Sequence, residues 1–189
     1  KFIRAGTAYF ALIGLGFMFV EITLMQMMSM FLGHPVYGLG VVLFSMILSC
    51  GIGSFLSETF PLKTRQQMTA WSLSLAIYIA LIAVAVGPMM HVFIGEPFVV
   101  RLALCLGLIF PAGLLMGFAF PTGIKITEIK SDTLTPWFWG INGAFGVVAS
   151  AFAMVISIGF GLPFTILAGA LCYALLAIPA MALMGQSRK

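Results

Sequence analysis

The stretch Tyr9-Phe10-Ala11-Leu12-Ile13-Gly14-Leu15-Gly16-Phe17-Met18-Phe19-Val20-Glu21-Ile22 decides the fold class. It is apolar for twelve consecutive residues, reaches one carboxylate, and then continues, mostly apolar, to Leu32. A membrane-crossing helix needs about 20 apolar residues, so the run is long enough to span. Glu21 then falls near the middle of that span. A charged side chain there costs about 3 kcal/mol on insertion scales, so Glu21 is expected to face protein or water rather than lipid.

The rest of the chain repeats the pattern. Of its 189 residues, 62% are hydrophobic and 7% charged. Soluble domains carry about 25% charged residues, which excludes a soluble core and points to an integral membrane protein. Six spans are expected, over residues 8–32, 37–55, 69–92, 98–120, 137–158 and 163–183. The period-2 alternation of a membrane β-barrel is absent, so the expected fold is an all-α transmembrane bundle of six helices in one domain, 1–189. Residues 1–7 read as a basic lead-in, and 123–136 as a loop with mixed charge that is either a solvated linker or a dock for a soluble partner.

The basic residues orient the bundle. Lys1, Arg4, Lys63, Arg65, Lys125, Lys130, Arg188 and Lys189 all fall on one side of the six spans; only Arg101 falls near the other. The positive-inside rule places that side, and both termini, in the cytoplasm. The chain begins with Lys rather than Met, which is expected of the later part of a longer protein.

Small residues indicate packing. Ser45, Ser49, Gly53 and Ser57 recur every four residues on the second helix and form a narrow ridge. Gly113 and Gly117 repeat that spacing on the fourth helix, and Gly143 and Gly146 lie on the fifth. Each set reads as intramolecular packing, with a subunit interface as the alternative. Thr135 is expected to cap the fifth helix, with Pro136 in its first turn. Gly87-Pro88, Pro111 and Pro179 are expected to bend or break their helices.

Few residues suggest chemistry. Glu21, Gln26 and Asn142 are the candidate intramembrane polar site. Glu21 reads either as a cation or proton site or as a protonated hydrogen-bonding group. A pairing with Asn142 requires matching depth, which the positions do not favour, and Gln26 lies on another face. His34, in Gly33-His34-Pro35, reads as a capping residue of an outer turn. Met25, Met27, Met28 and Met30 near His34 are soft-metal ligand types, but their spacing spreads them around the helix, so no metal is assigned. Cys50, Cys105 and Cys172 sit on three helices with no paired spacing and read as buried small residues. Glu96 and Arg101 could form a rim ion pair. Gly14-x-Gly16 and Gly51-x-Gly53 lie within spans with no preceding strand, so they are not nucleotide loops. No catalytic residue, cofactor or nucleic-acid partner is assigned.

Several segments carry a resemblance. Ala11–Ile22, Phe31-Leu32-Gly33-His34-Pro35-Val36-Tyr37, Val41–Ser45 with Gly51–Ser54, and Pro136–Gly143 resemble the membrane part of bacterial spermidine-synthase-like proteins. The resemblance implies helices that follow a soluble Rossmann-like aminopropyltransferase or methyltransferase-like domain, in the bacterial inner membrane. That catalytic domain has no counterpart in this sequence. The expected role is therefore a non-catalytic membrane module, among membrane lipids, that anchors such a domain or serves as an accessory subunit of a larger assembly. Two alternatives stay open: a half-transporter for a cation, polyamine or proton-coupled solute using Glu21, and a membrane enzyme acting on a lipid or quinone.

Overall fold

The computed structural model describes residues 2–128 and 132–186, and all its regular elements are helical. They are α1 (Phe2–Leu32), α2 (Pro35–Thr59), α3 (Arg65–Phe93), α4 (Phe98–Gly117), α5 (Ala119–Glu128), a 3-10 turn (Asp132–Leu134), α6 (Thr135–Phe160), α7 (Leu162–Leu175) and α8 (Ala177–Gln186). Helices α4 and α5 form one span, as do α7 and α8, giving six helices long and apolar enough to cross a membrane. The chain is an integral membrane protein. Lys1, Ile129, Lys130, Ser131, Arg188 and Lys189, on which part of the charge argument and the linker reading rest, lie outside the described residues.

Helix α1 is the axis. It touches every other α-helix, and Tyr9, Phe10, Val20, Leu24, Met28 and Phe31 are wholly buried along its length. Its two neighbouring glycines explain how it packs on opposite sides. Residues two apart on a helix point about 200° apart. Gly14 therefore faces α6, where an added Cβ would strike the Asn142 carbonyl oxygen, and Gly16 faces Cys172 and Tyr173 of α7. At the other extreme, α6 buries only Phe138, Ala149 and Ala153 and leaves most of its surface outward.

The small-residue ridge of α2 packs as its spacing predicts. Ser45, Ser49, Gly53 and Ser57 are all buried. A Cβ on Gly113 would collide with Ser49 Oγ, one on Gly53 with the Leu114 carbonyl, and one on Gly117 with the Cys50 carbonyl. The serine hydroxyls donate back into their own helix, Ser45 to Val41 O at 2.5 Å and Ser49 to Ser45 O at 2.6 Å. The α2 and α4 backbones can thus approach without stranding a polar group. Gly143 differs from the expectation: nothing lies within 4 Å of its Cβ position. Gly146 does face α1, its backbone N lying 3.1 Å from a Cβ built on Gly14, so the close approach between α1 and α6 is made by Gly14 against Asn142 and Gly146.

The helix breaks fall one turn before two prolines. A proline ring clashes with the carbonyl four residues earlier. For Pro121 that is Gly117, and the break is at Phe118; for Pro179 it is Leu175, and the break is at Leu176. Helices α3 and α4 run on through Pro88 and Pro111. The expected end at Phe120 is also corrected, since α5 carries the span on to Glu128 and makes much of 123–136 helical. Thr135 does not cap α6. The 3-10 turn feeds straight into the helix, leaving Leu134 at the cap position without a side-chain bond.

End-to-end contacts fix which helix termini lie together. The Trp137 indole donates to Thr7 Oγ1 at 3.1 Å, Lys125 Nζ to Ser57 O at 3.4 Å, and Arg65 lies against Gly185. Arg4, Lys63, Arg65 and Lys125 therefore share one end of the bundle. Arg101 is at the other end, where its Nη1 donates to Phe31 O at 2.8 Å. That carbonyl closes the last turn of α1, a favourable place for a cation. Arg101 thus serves α1, and no Glu96–Arg101 ion pair forms among the described residues.

Candidate functional site

Helices α1 and α6 run side by side in the same direction. The pairs Thr7–Trp137 and Gln26–Met154 are offset by 130 and 128 residues. This register puts Glu21 level with the turn around Ser150 and puts Asn142 against Gly14, about two turns before Glu21. The three intramembrane polar residues are therefore not brought together. Gln26 Nε2 approaches Met154 Sδ at 3.9 Å, on another face of α1. Glu21 is 7% exposed and accepts no hydrogen bond from any described residue.

His34 sits at the opposite end from the basic cluster. Its Nδ1 accepts from Val36 N at 3.2 Å, capping α2, and its ring meets Tyr37 edge-on. The methionines diverge: Met27 and Met28 are buried, while Met30 is 54% exposed. Cys50, Cys105 and Cys172 are free thiols. Among the described residues no group of three His, Cys, Asp or Glu side chains is placed to hold a metal ion.

A cavity of about 630 Å³ lies in the half of the bundle that holds the amino-terminal end of α1. Its floor is α1, from Ile13 to Met18; α2 and α6 form its walls and the α4–α5 break its base. Helices α2 and α6 do not touch, so the cavity opens sideways between them. Gly14 and Met18 share a helix face with Glu21, at i, i+4 and i+7. Glu21 thus lies about one turn beyond the far end of the floor.

Side chains of neighbouring helices bond carbonyls on either side of the break at the base. Trp71 Nε1 donates to Leu115 O at 3.1 Å, and Tyr9 Oη to Ala119 O at 2.9 Å. Ser72 Oγ similarly donates to Tyr173 O beside the second break. Sequence reasoning missed this cavity. Pro121 at its base and Gly14 on its floor were its traces: a proline one turn after a glycine, and a glycine on the Glu21 face.

No protein-family model, curated protein or solved structure matches the chain.

Proposed function

We propose that the chain is a non-catalytic membrane module whose central helix carries a spermidine-synthase-like soluble domain at the cytoplasmic face. The observation that supports this most is the bracing of α1 at its amino-terminal end. The helix is already formed at Phe2. Gly6 packs on Phe138, Thr7 accepts from Trp137, and Tyr9 donates to α5. A domain joined ahead of this helix would ride on a fixed support, not on a flexible tether. The basic cluster at the same end supports a cytoplasmic placement, and the resemblance of the helical segments supports the class of the domain.

The test is gentle solubilisation from native membranes followed by mass spectrometry. A Rossmann-like domain, continuous with the chain or co-migrating at fixed ratio, is the expected result. A chain that migrates with no such domain overturns the reading, as does polyamine synthesis by the purified membrane module alone.

A second reading, transport of a cation or proton-coupled solute, has one observation in its favour. Glu21 is buried on the central helix, with no hydrogen bond among the described residues and a lateral cavity close by. Glu21→Gln would then abolish uptake in reconstituted vesicles while the protein still folds. Unchanged uptake in that variant removes the idea.

A further inference from the structure

We propose that the basic end of the bundle holds a site for a phosphate group, borne either by a lipid head at the membrane surface or by a soluble phosphate ester. The inference is independent of the anchoring role and of the orientation of the bundle. A second cavity, of about 240 Å³, lies where the last turn of α2, the α2–α3 connection, α5 and α8 meet. Pockets for whole small molecules run to about 300–1,000 Å³, so this one has the size for a head group rather than an entire lipid. Lys63 and Lys125 line it, and both side chains are exposed, so a ligand can reach them. No carboxylate lines it: Glu58 and Glu128, the nearest in sequence, are not among the lining residues. Neither lysine is in an ion pair among the described residues.

The local structure holds both lysines in place. Thr122, Lys125 and Ile126 stand at i, i+3 and i+4 on α5 and so share one face. Lys125 Nζ donates to Ser57 O at 3.4 Å, which answers the negative end of α2 and leaves two of the three ammonium N–H groups for a ligand. Lys63 is positioned from the other side. Pro61 stiffens its connection, and Gln67 Oε1 accepts from Lys63 N and Thr64 N at 3.0 and 3.1 Å. Those backbone N–H groups are taken, so the donors left at the wall are side chains. Thr122 adds a hydroxyl from a residue only 4% exposed. Ile126 and Met184 complete the wall with apolar surface, which suits the carbon bonded to a phosphate better than a fully hydrated ion. Two ammonium groups and a hydroxyl call for an anion with several acceptor oxygens. Lysine binds phosphate as a point charge, whereas a carboxylate is better matched by the planar fork of arginine. Basic pockets between membrane helices take phosphate head groups at the bilayer surface in this way.

The whole chain, purified in an uncharged detergent, is titrated separately with dioleoyl phosphatidic acid, dioleoyl phosphatidylcholine, oleate and glycerol phosphate, and bound molecules are counted by native mass spectrometry. One phosphatidic acid is expected to bind ahead of any further adduct, and more tightly than phosphatidylcholine or oleate. Lys63→Gln and Lys125→Gln should each weaken that first molecule about fivefold, the effect of one cation beside an anionic head group. Thr122→Val should weaken it with the charge unchanged. Arg4→Gln, at the same end but outside the cavity, should leave it as it was. Glycerol phosphate that binds as tightly as phosphatidic acid, with the same dependence on both lysines, assigns the site to a soluble ester; phosphatidic acid binding alone assigns it to the bilayer. Equal binding of oleate or phosphatidylcholine overturns the proposal. So does unchanged affinity in the lysine variants or in Thr122→Val, or a loss in Arg4→Gln as large as in the lysine variants, which would mean diffuse attraction to a basic surface. Thermal melting of each variant separates loss of binding from loss of fold, and the two lysines, being exposed, can be replaced without disturbing the packing.

Discussion

Gly14 shows how much a single missing side chain decides. A Cβ there would meet a backbone carbonyl of α6, which cannot rotate away as a side chain could. Gly14→Val should therefore destabilise the protein by about 1–3 kcal/mol, the usual range for overpacking. Gly143→Val, one residue beyond Asn142 on the facing helix but pointing into open space, should change stability by no more than about 0.5 kcal/mol. Denaturant titration in mild detergent would compare the two. Equal losses would mean that α1 and α6 do not approach at Gly14. The sequence alone ranks these two glycines the wrong way round. Both have small neighbours at helical spacing, and spacing says which residues share a face without saying what that face meets. Glu21 was legible for a different reason: one carboxylate in a run of apolar residues is conspicuous whatever surrounds it. Its separation from Asn142 was also legible, because depth along a span follows from counting residues. What flanks Glu21 was not, since it depends on which helices surround α1.

At the scale of the helix, the useful rule is that a proline acts one turn ahead of itself. Pro121 displaces the turn at Gly117 and Phe118, which leaves the Leu115 carbonyl to accept from Phe118 N at 3.3 Å and from the Trp71 indole. Trp71→Phe should cost about 0.5–1.5 kcal/mol, the net worth of such a bond. In a Pro121→Ala background the helix can close, Ala119 N can reach the Leu115 carbonyl, and the same change should cost less. A double-mutant cycle would read the difference as a coupling energy. Zero coupling would mean that the indole bond does not compensate for the break. Pro88 and Pro111 produce no such interruption. The Tyr78 hydroxyl donates to Leu108 O at 3.0 Å near Pro111, so a neighbour supplies a bond there while α4 stays continuous. Sequence identifies which helices contain prolines; the neighbouring side chains that bond carbonyls close to them come from other helices.

For the whole molecule, six spans and one end that gathers most of the described cations were legible because they rest on composition and counting, which tertiary packing does not alter. The central position of α1 was foreshadowed only by its glycines on opposite faces. The ordering of the helices around it, and hence the gap between α2 and α6, had no signal along the sequence. The charges carry the orientation proposed above. Lys63 and Lys125 belong to the end that also holds Arg4, while His34 and Glu96 belong to the other. Moving the basic end across the bilayer would be opposed at each of its cations. With Cys50, Cys105 and Cys172 replaced by alanine, His34→Cys should react with a membrane-impermeant maleimide on intact cells. Lys63→Cys should react only after the cells are opened. Those two outcomes together put the basic end, and any domain mounted on α1, in the cytoplasm. The reverse pattern would place the basic end outside and end the anchoring proposal, because a cytoplasmic synthase-like domain could not then precede α1. Labelling of both sites on intact cells would mean a mixed topology, in which the four described cations at that end are too weak a signal to orient this bundle.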